Sequence, residues 1–73
     1  MTFPEAVRSV REDLSMTQAE FGRALNVSYA TVNRWENGKH FPTPLVLDAI
    51  RTYCQKRNLV FPYDDKPTLD EGA

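Results

Sequence analysis

Thr17-Gln18-Ala19-Glu20-Phe21-Gly22-Arg23-Ala24-Leu25-Asn26-Val27-Ser28-Tyr29-Ala30-Thr31-Val32-Asn33-Arg34-Trp35-Glu36-Asn37-Gly38-Lys39 is the stretch that decides the fold. It holds two short helical patterns set almost end to end. Thr17 with Glu20 three residues later makes a capping box, which opens a helix over Gln18 to Leu25. Asn26 closes that helix, because after Gly it is the residue most at ease in the left-handed conformation of a tight turn. Ser28 is a natural N-cap for the next helix, which continues to Asn37 and stops at Gly38. Only Asn26 and Val27 separate the two. Helices joined so tightly cannot lie antiparallel; they cross at a steep angle, as a helix-turn-helix.

The apolar positions agree. Phe21 and Leu25 on the first helix, Val27 in the turn, and Val32 and Trp35 on the second form one wedge. Gly22 supplies the close approach where the two helices meet. Burying Val32 and Trp35 turns Tyr29, Ala30, Asn33, Arg34 and Asn37 to the other side, a face with no acid on it.

Outward from this pair, two more helices are predicted and no strand. Thr2 with Glu5 is a second capping box, Pro4 is tolerated in a first turn, and Phe3, Val7, Val10 and Leu14 recur at helical spacing. That places a helix from Phe3 to Leu14. Thr43-Pro44 reads as cap and first position of a last helix, with Leu47, Ile50 and Cys54 as its apolar stripe and Leu45 or Val46 flanking it. Beyond Asn58 the pattern fails. Leu59, Val60, Phe61 and Tyr63 form an apolar cluster that either pads the domain's own core or makes a dimer seam, and the seam is placed there. Residues 62–73 read as an acidic, disordered tail behind a folded body of residues 1–61.

Composition bounds the function. A chain of 73 residues is one small domain, with little room for both a core and a concave catalytic pocket, so an enzyme is not expected. Hydrophobic content of 41% fits a globular core, no apolar run approaches a membrane span, and the start lacks the pattern of a secretory signal. One cysteine and one histidine argue against a disulfide framework or a metal site, and no cofactor is expected. The net charge of -1 conceals an asymmetry: residues 1–61 hold eight basic and six acidic side chains, 8 − 6 = +2, while residues 62–73 sum to 1 − 4 = −3. A weakly basic body with an acidic tail is compatible with a nucleic-acid partner.

The acid-free face carries the chemistry that reads DNA. Arg bonds O6 and N7 of guanine in a bidentate fashion, and Asn does the same for N6 and N7 of adenine. Ala30 is small enough to let the helix sit deep in a major groove. Polar residues at helical spacing are more often a solvated face than a binding face. The short turn and the apolar wedge favour DNA.

The motifs TQAEF, LNVS and TVNRWENGK, in this order and at these distances, resemble the Xre-like family of helix-turn-helix proteins, the phage repressor and Cro type. The resemblance runs from about Val7 to Ile50. It implies an all-α, small four- to five-helix, lambda-repressor-like bundle that binds operator DNA as a two-fold dimer. The chain departs from the family at Asn26, where Gly is usual, at Gly22, where Ala is frequent, and in lacking a clear fifth helix. Residue by residue, the resemblance implies that Gln18 bonds a phosphate and buttresses the second helix of the motif. Ser28 caps that helix beside the DNA backbone, Tyr29, Ala30 and Arg34 sit where base edges are read, and Asn33 is adjacent. Asn37 and Lys39 match positions that hold the far phosphate strand, and Arg11 and Glu36 match a structural ion pair. A buried Glu36 requires such a cation on physical grounds alone.

Other singular residues carry less. Cys54 reads as a buried inert thiol and His40 as a surface side chain. The resulting expectation is a cytoplasmic, sequence-specific binder of double-stranded DNA. It is a transcriptional repressor forming a homodimer on a palindromic site, with a protein partner for the tail as an option. Three readings compete: the antitoxin of a toxin–antitoxin pair, a DNA-targeting module of a larger enzyme such as a DNA methyltransferase, and a protein-interaction module without DNA binding.

Overall fold

The computed structural model describes residues 1–63, and the sequence from residue 64 onward, most of the expected acidic tail, lies outside the described residues. Four helices follow one another: α1 (Phe3–Asp13), α2 (Gln18–Leu25), α3 (Tyr29–Glu36) and α4 (Pro44–Gln55). Neither a strand nor a fifth helix occurs among the described residues. The caps explain the starts. Thr2 and Thr17 each complete a capping box, with Glu5 and Glu20 reaching back to the cap nitrogens at 3.0 and 2.8 Å. Ser28 and Thr43 accept from the backbone N–H three residues on, and Pro44 sits in the first turn of α4. Both helices of the motif are thus opened by a hydroxyl cap, to which α2 alone adds a reciprocal glutamate.

The ends follow one plan. Ser15, Asn26, Gly38 and Asn58 all adopt left-handed backbone, with φ of 57°, 63°, 72° and 60°. The N–H after each closes a long bond over the last turn: Met16 to Arg11 O, Val27 to Gly22 O, Lys39 to Arg34 O and Leu59 to Cys54 O, at 2.8 to 3.0 Å. Each helix therefore ends in a Schellman closure, which occupies carbonyls that would otherwise lack donors. Asn26 does what its place in the sequence predicts. Ser15 was not foreseen, because serine carries no special tolerance for this conformation.

Gly22 lies at the tightest point between α2 and the turn. A Cβ there would meet the carbonyl oxygen of Val27 at 2.8 Å and that of Ser28 at 3.2 Å. The exchange of Ala for Gly thus has a local reason: it lets the turn fold back against α2, at a helix-propensity cost of about 1 kcal/mol.

The core combines Phe3, Val7 and Val10 of α1, Phe21 of α2, Val32 and Trp35 of α3, Ile50 and Cys54 of α4, and Phe61 beyond it. Leu25 and Val27 pack against it partly buried, so the predicted wedge is present. Within α4 the stripe is Ile50 and Cys54 with Val46 and Leu47 partly covered, whereas Leu45 is 80% exposed and takes no part.

Phe3 is the hub of an aromatic cluster, 5.9 Å from Trp35, 6.0 Å from Phe61 and 5.4 Å from Tyr63 between ring centroids, all edge to face. The arrangement places ring edges on ring faces, the favoured geometry for such pairs. Of the two readings of the apolar cluster after α4, core padding is the one that Phe61, Leu59 and Tyr63 follow. Phe61 is 4% exposed inside the core, Leu59 and Tyr63 pack against it, and only Val60, 85% exposed, faces outward. Arg51 fastens the segment, with Nη2 donating to the Tyr63 carbonyl at 3.1 Å and the guanidinium 5.9 Å from the Phe61 ring. Residues 59–63 form no fifth helix; Phe61 and Tyr63 close the core without regular secondary structure.

Candidate nucleic-acid interface

α3 is held from behind by α1 and α2, and what it presents follows from what it buries. With Val32 and Trp35 inward, Tyr29 is 57% exposed and Ala30, Arg34 and Asn37 are exposed as well. Ser28 and Lys39 flank the helix at its two ends, both exposed. Asn33 and Gln18 are half-buried, between this face and α2. The structure therefore gathers all eight residues of the sequence-derived set along one helix and its edges, with two of them partly withdrawn.

Those two belong to a chain of hydrogen bonds that starts inside the protein. Glu36 is on the inward side of α3, its side chain 1% exposed. Arg11 meets it from α1, with Nε donating to Oε2 at 2.6 Å and Nη2 to Oε1 at 3.0 Å. Nη1 of Arg11 donates to the Met16 carbonyl at 3.0 Å, which ties the same guanidinium to the end of α1. Gln18 then donates from Nε2 to Oε1 of Glu36 at 3.1 Å. Asn33 donates from Nδ2 to Oε1 of Gln18 at 3.2 Å, and Asn37 from Nδ2 to Oδ1 of Asn33 at 3.0 Å. Burial alone pushes the Glu36 carboxyl up, but the bonds from Arg11, Gln18 and Arg8 and the Arg11 charge outweigh it and hold the group below its ordinary value. Glu36 is therefore ionised, and its negative charge is spent internally.

Arg8 was missed in the sequence. Its Nε lies 3.4 Å from Oε1 of Glu36, with the side chain 55% exposed. The signal was there, since residues 8 and 11 are three apart and share a helix face. The hydroxyl pair Ser28 and Thr31, 3.0 Å apart, was missed too; it shows the Ser28 side chain engaged as cap and partner at once.

The charge of the outer face is set by what remains free. Arg34 and Lys39 make no side-chain hydrogen bond or ion pair among the described residues, in contrast to Arg8 and Arg11. No acid stands in the first turn of α3. Among the described residues the face thus combines a guanidinium and an ammonium, neither paired with an acid, with the Ser28-capped N-terminus of α3, whose dipole favours anions.

A family model described as helix-turn-helix matches residues 7–57. The chain belongs to the Xre-like helix-turn-helix family. A curated relative, the HTH-type transcriptional regulator DicA of Escherichia coli (strain K12), is 32% identical over 68 residues, covering 90% of this chain. The match covers 50% of that relative, so the chain spans about half its length. No solved structure gives a significant match. Among the described residues no group of His, Cys, Asp and Glu is placed to hold a metal ion, and no helix is long and apolar enough to cross a membrane. Cys54 is buried, and burial pushes its thiol up.

Proposed function

We propose that this Xre-like chain is a sequence-specific DNA-binding transcriptional regulator, a repressor that lays α3 in the major groove. The observation that carries the reading is the outer face of α3, which is acid-free and has at its centre Arg34, unpaired among the described residues because Glu36 is turned inward onto Arg11. The name of the curated relative, a transcriptional regulator, supports it. Tyr29, Ala30 and Arg34 meet base edges; Gln18, Ser28, Asn37 and Lys39 meet the sugar–phosphate backbone and set the register. Such a protein works in the cytoplasm on double-stranded DNA.

One helix of eight residues reads a short half-site, too little to stand out in a genome. Two copies one helical turn apart repair this, and a two-fold protein requires a palindromic operator. With Phe61 and Tyr63 spent on the core, the large apolar side chains left exposed for a seam among the described residues are Met1, Phe41, Leu45 and Val60, beside Tyr29 on the outer face of α3. The free protein is expected to be monomeric and to pair on the operator.

The test is selection of bound sequences from random double-stranded DNA, followed by native mass spectrometry on the winning site. Enrichment of a palindrome carrying two copies of the chain is the expected result. No enrichment over the starting pool overturns the reading, and a single copy on an asymmetric site overturns the dimer.

A further inference from the structure

We propose, on the DNA-binding reading above, that Asn33 is a positioning residue: it holds the Gln18 amide toward a DNA phosphate and reads no base itself. The order of donors and acceptors along α3 is dictated from the inside. An ionised carboxylate offers only acceptors, so Gln18 must turn Nε2 toward Glu36 and Oε1 away from it. The outward Oε1 then selects the Nδ2 of Asn33, and the remaining Oδ1 of Asn33 selects the Nδ2 of Asn37. Reversing any one amide would set acceptor against acceptor. Gln18 is thus fixed by a bond on each side of its amide, with one N–H hydrogen left over. A donor fixed in this way is suited to a phosphate oxygen.

Asn33 is committed in the same manner, at 3.2 Å to Gln18 and 3.0 Å to Asn37, and is half-buried where it stands. Reading adenine requires both the oxygen and the nitrogen of one amide to turn to the base edge. For Asn33 that movement would leave Oε1 of Gln18 without its donor. Base discrimination accordingly falls to Tyr29, Ala30 and Arg34, which no hydrogen bond from a side chain restrains in this way among the described residues. Glu36 orients the DNA-facing amides from inside the fold without touching the DNA.

The test compares wild type with Asn33→Ala, the near-isosteric Asn33→Leu, Gln18→Ala and the double Gln18→Ala/Asn33→Ala. Affinity is measured on a selected site, on each of its single-base variants and on unrelated DNA, with thermal melts confirming that every variant is folded. Both Asn33 variants are expected to weaken all these DNAs alike by about fivefold, the weight of one net hydrogen bond, with the base preference unchanged. Once Gln18 is Ala, Asn33→Ala should add less than its loss in the wild-type background, the remainder being its hold on Asn37. Relaxed preference at one base pair, additive losses, or wild-type affinity in Asn33→Leu each overturn the proposal. A wild-type chain that prefers no sequence at all overturns the DNA-binding reading first, and the role of Asn33 with it.

Discussion

The Nε of Arg11 lies 2.6 Å from Oε2 of Glu36, so the end of α1 and the end of α3 are joined by a charge pair that is almost wholly covered. Removing one partner of such a pair strands the other in a poor environment, at a cost of about 3 kcal/mol. Arg11→Met is expected to lose roughly that much in urea unfolding, a large part of the stability of so small a domain. Arg8→Ala, whose side chain is 55% exposed, should lose less than about 1 kcal/mol. Equal losses for the two would refute the division of labour.

The same carboxylate gives a pH dependence. Its folded-state pKa is held below the ordinary value of 4.5, so the folded form binds the proton less readily than the unfolded one. Stability from this group is fully present above about pH 4.5 and is lost as the pH falls through the folded value. Unfolding free energy followed from pH 7 to pH 3 should therefore drop on the acid side, and the drop should be shallower in Glu36→Gln. An identical acid limb in that variant would assign the dependence to other carboxylates.

Ser15 bears a φ of 57° with no glycine-like freedom to relieve it. Left-handed backbone disfavours an ordinary L residue by roughly 1–2 kcal/mol, part of which glycine returns to the flexibility of the unfolded chain. Ser15→Gly is expected to stabilise the protein by about 0.5–1 kcal/mol, seen as a raised Tm. A lowered Tm would show that Ser15 is favoured by something other than its backbone.

Phe61 closes the core although it stands beyond the last helix. Phe61→Ala is expected to cost about 3 kcal/mol, as for a buried aromatic elsewhere, while Val60→Ala beside it changes stability by less than about 0.5 kcal/mol. Chemical denaturation of the two variants checks this. A mild Phe61→Ala would mean that residues 59–63 pack only loosely.

On DNA, Arg34 and Lys39 should differ in kind. Arg34→Ala is expected to lose about 1–3 kcal/mol on the selected site and to relax preference at one base pair, a G·C pair whose guanine it would bond. Lys39→Ala should weaken every sequence and reduce the slope of log affinity against log salt by about one unit. Uniform weakening by Arg34→Ala, or an unchanged slope for Lys39→Ala, would reject the respective role.

The helices and the motif were legible because their determinants are local. Thr17 with Glu20, Asn26 and Ser28 each act within a few residues, and the structure places each as its spacing implies. The fate of Phe61 was not legible, because an apolar cluster after a helix carries no mark of whether it folds back or faces a partner. Only its meeting with Phe3, at the other end of the domain, decides. The outer face of α3 was readable from periodicity. The hydrogen bonds linking Gln18, Asn33 and Asn37 were not, since amides at helical spacing look the same whether free or engaged.

The four left-handed closures also bear on how quickly the chain reaches this structure. Each sets the direction of the following segment within six residues, from Arg11 to Met16, Gly22 to Val27, Arg34 to Lys39 and Cys54 to Leu59. Most of the topology is therefore decided by short loops, the circumstance under which helical domains fold in microseconds to milliseconds. The seating of Phe61 and Tyr63 on Phe3 joins the most distant parts of the described chain and has the largest loop to close. The step is therefore expected to come last and to be the first undone. Amide protons after α4 should exchange through a local opening that leaves α2 and α3 folded, so the helix-turn-helix outlasts the flap that completes the core.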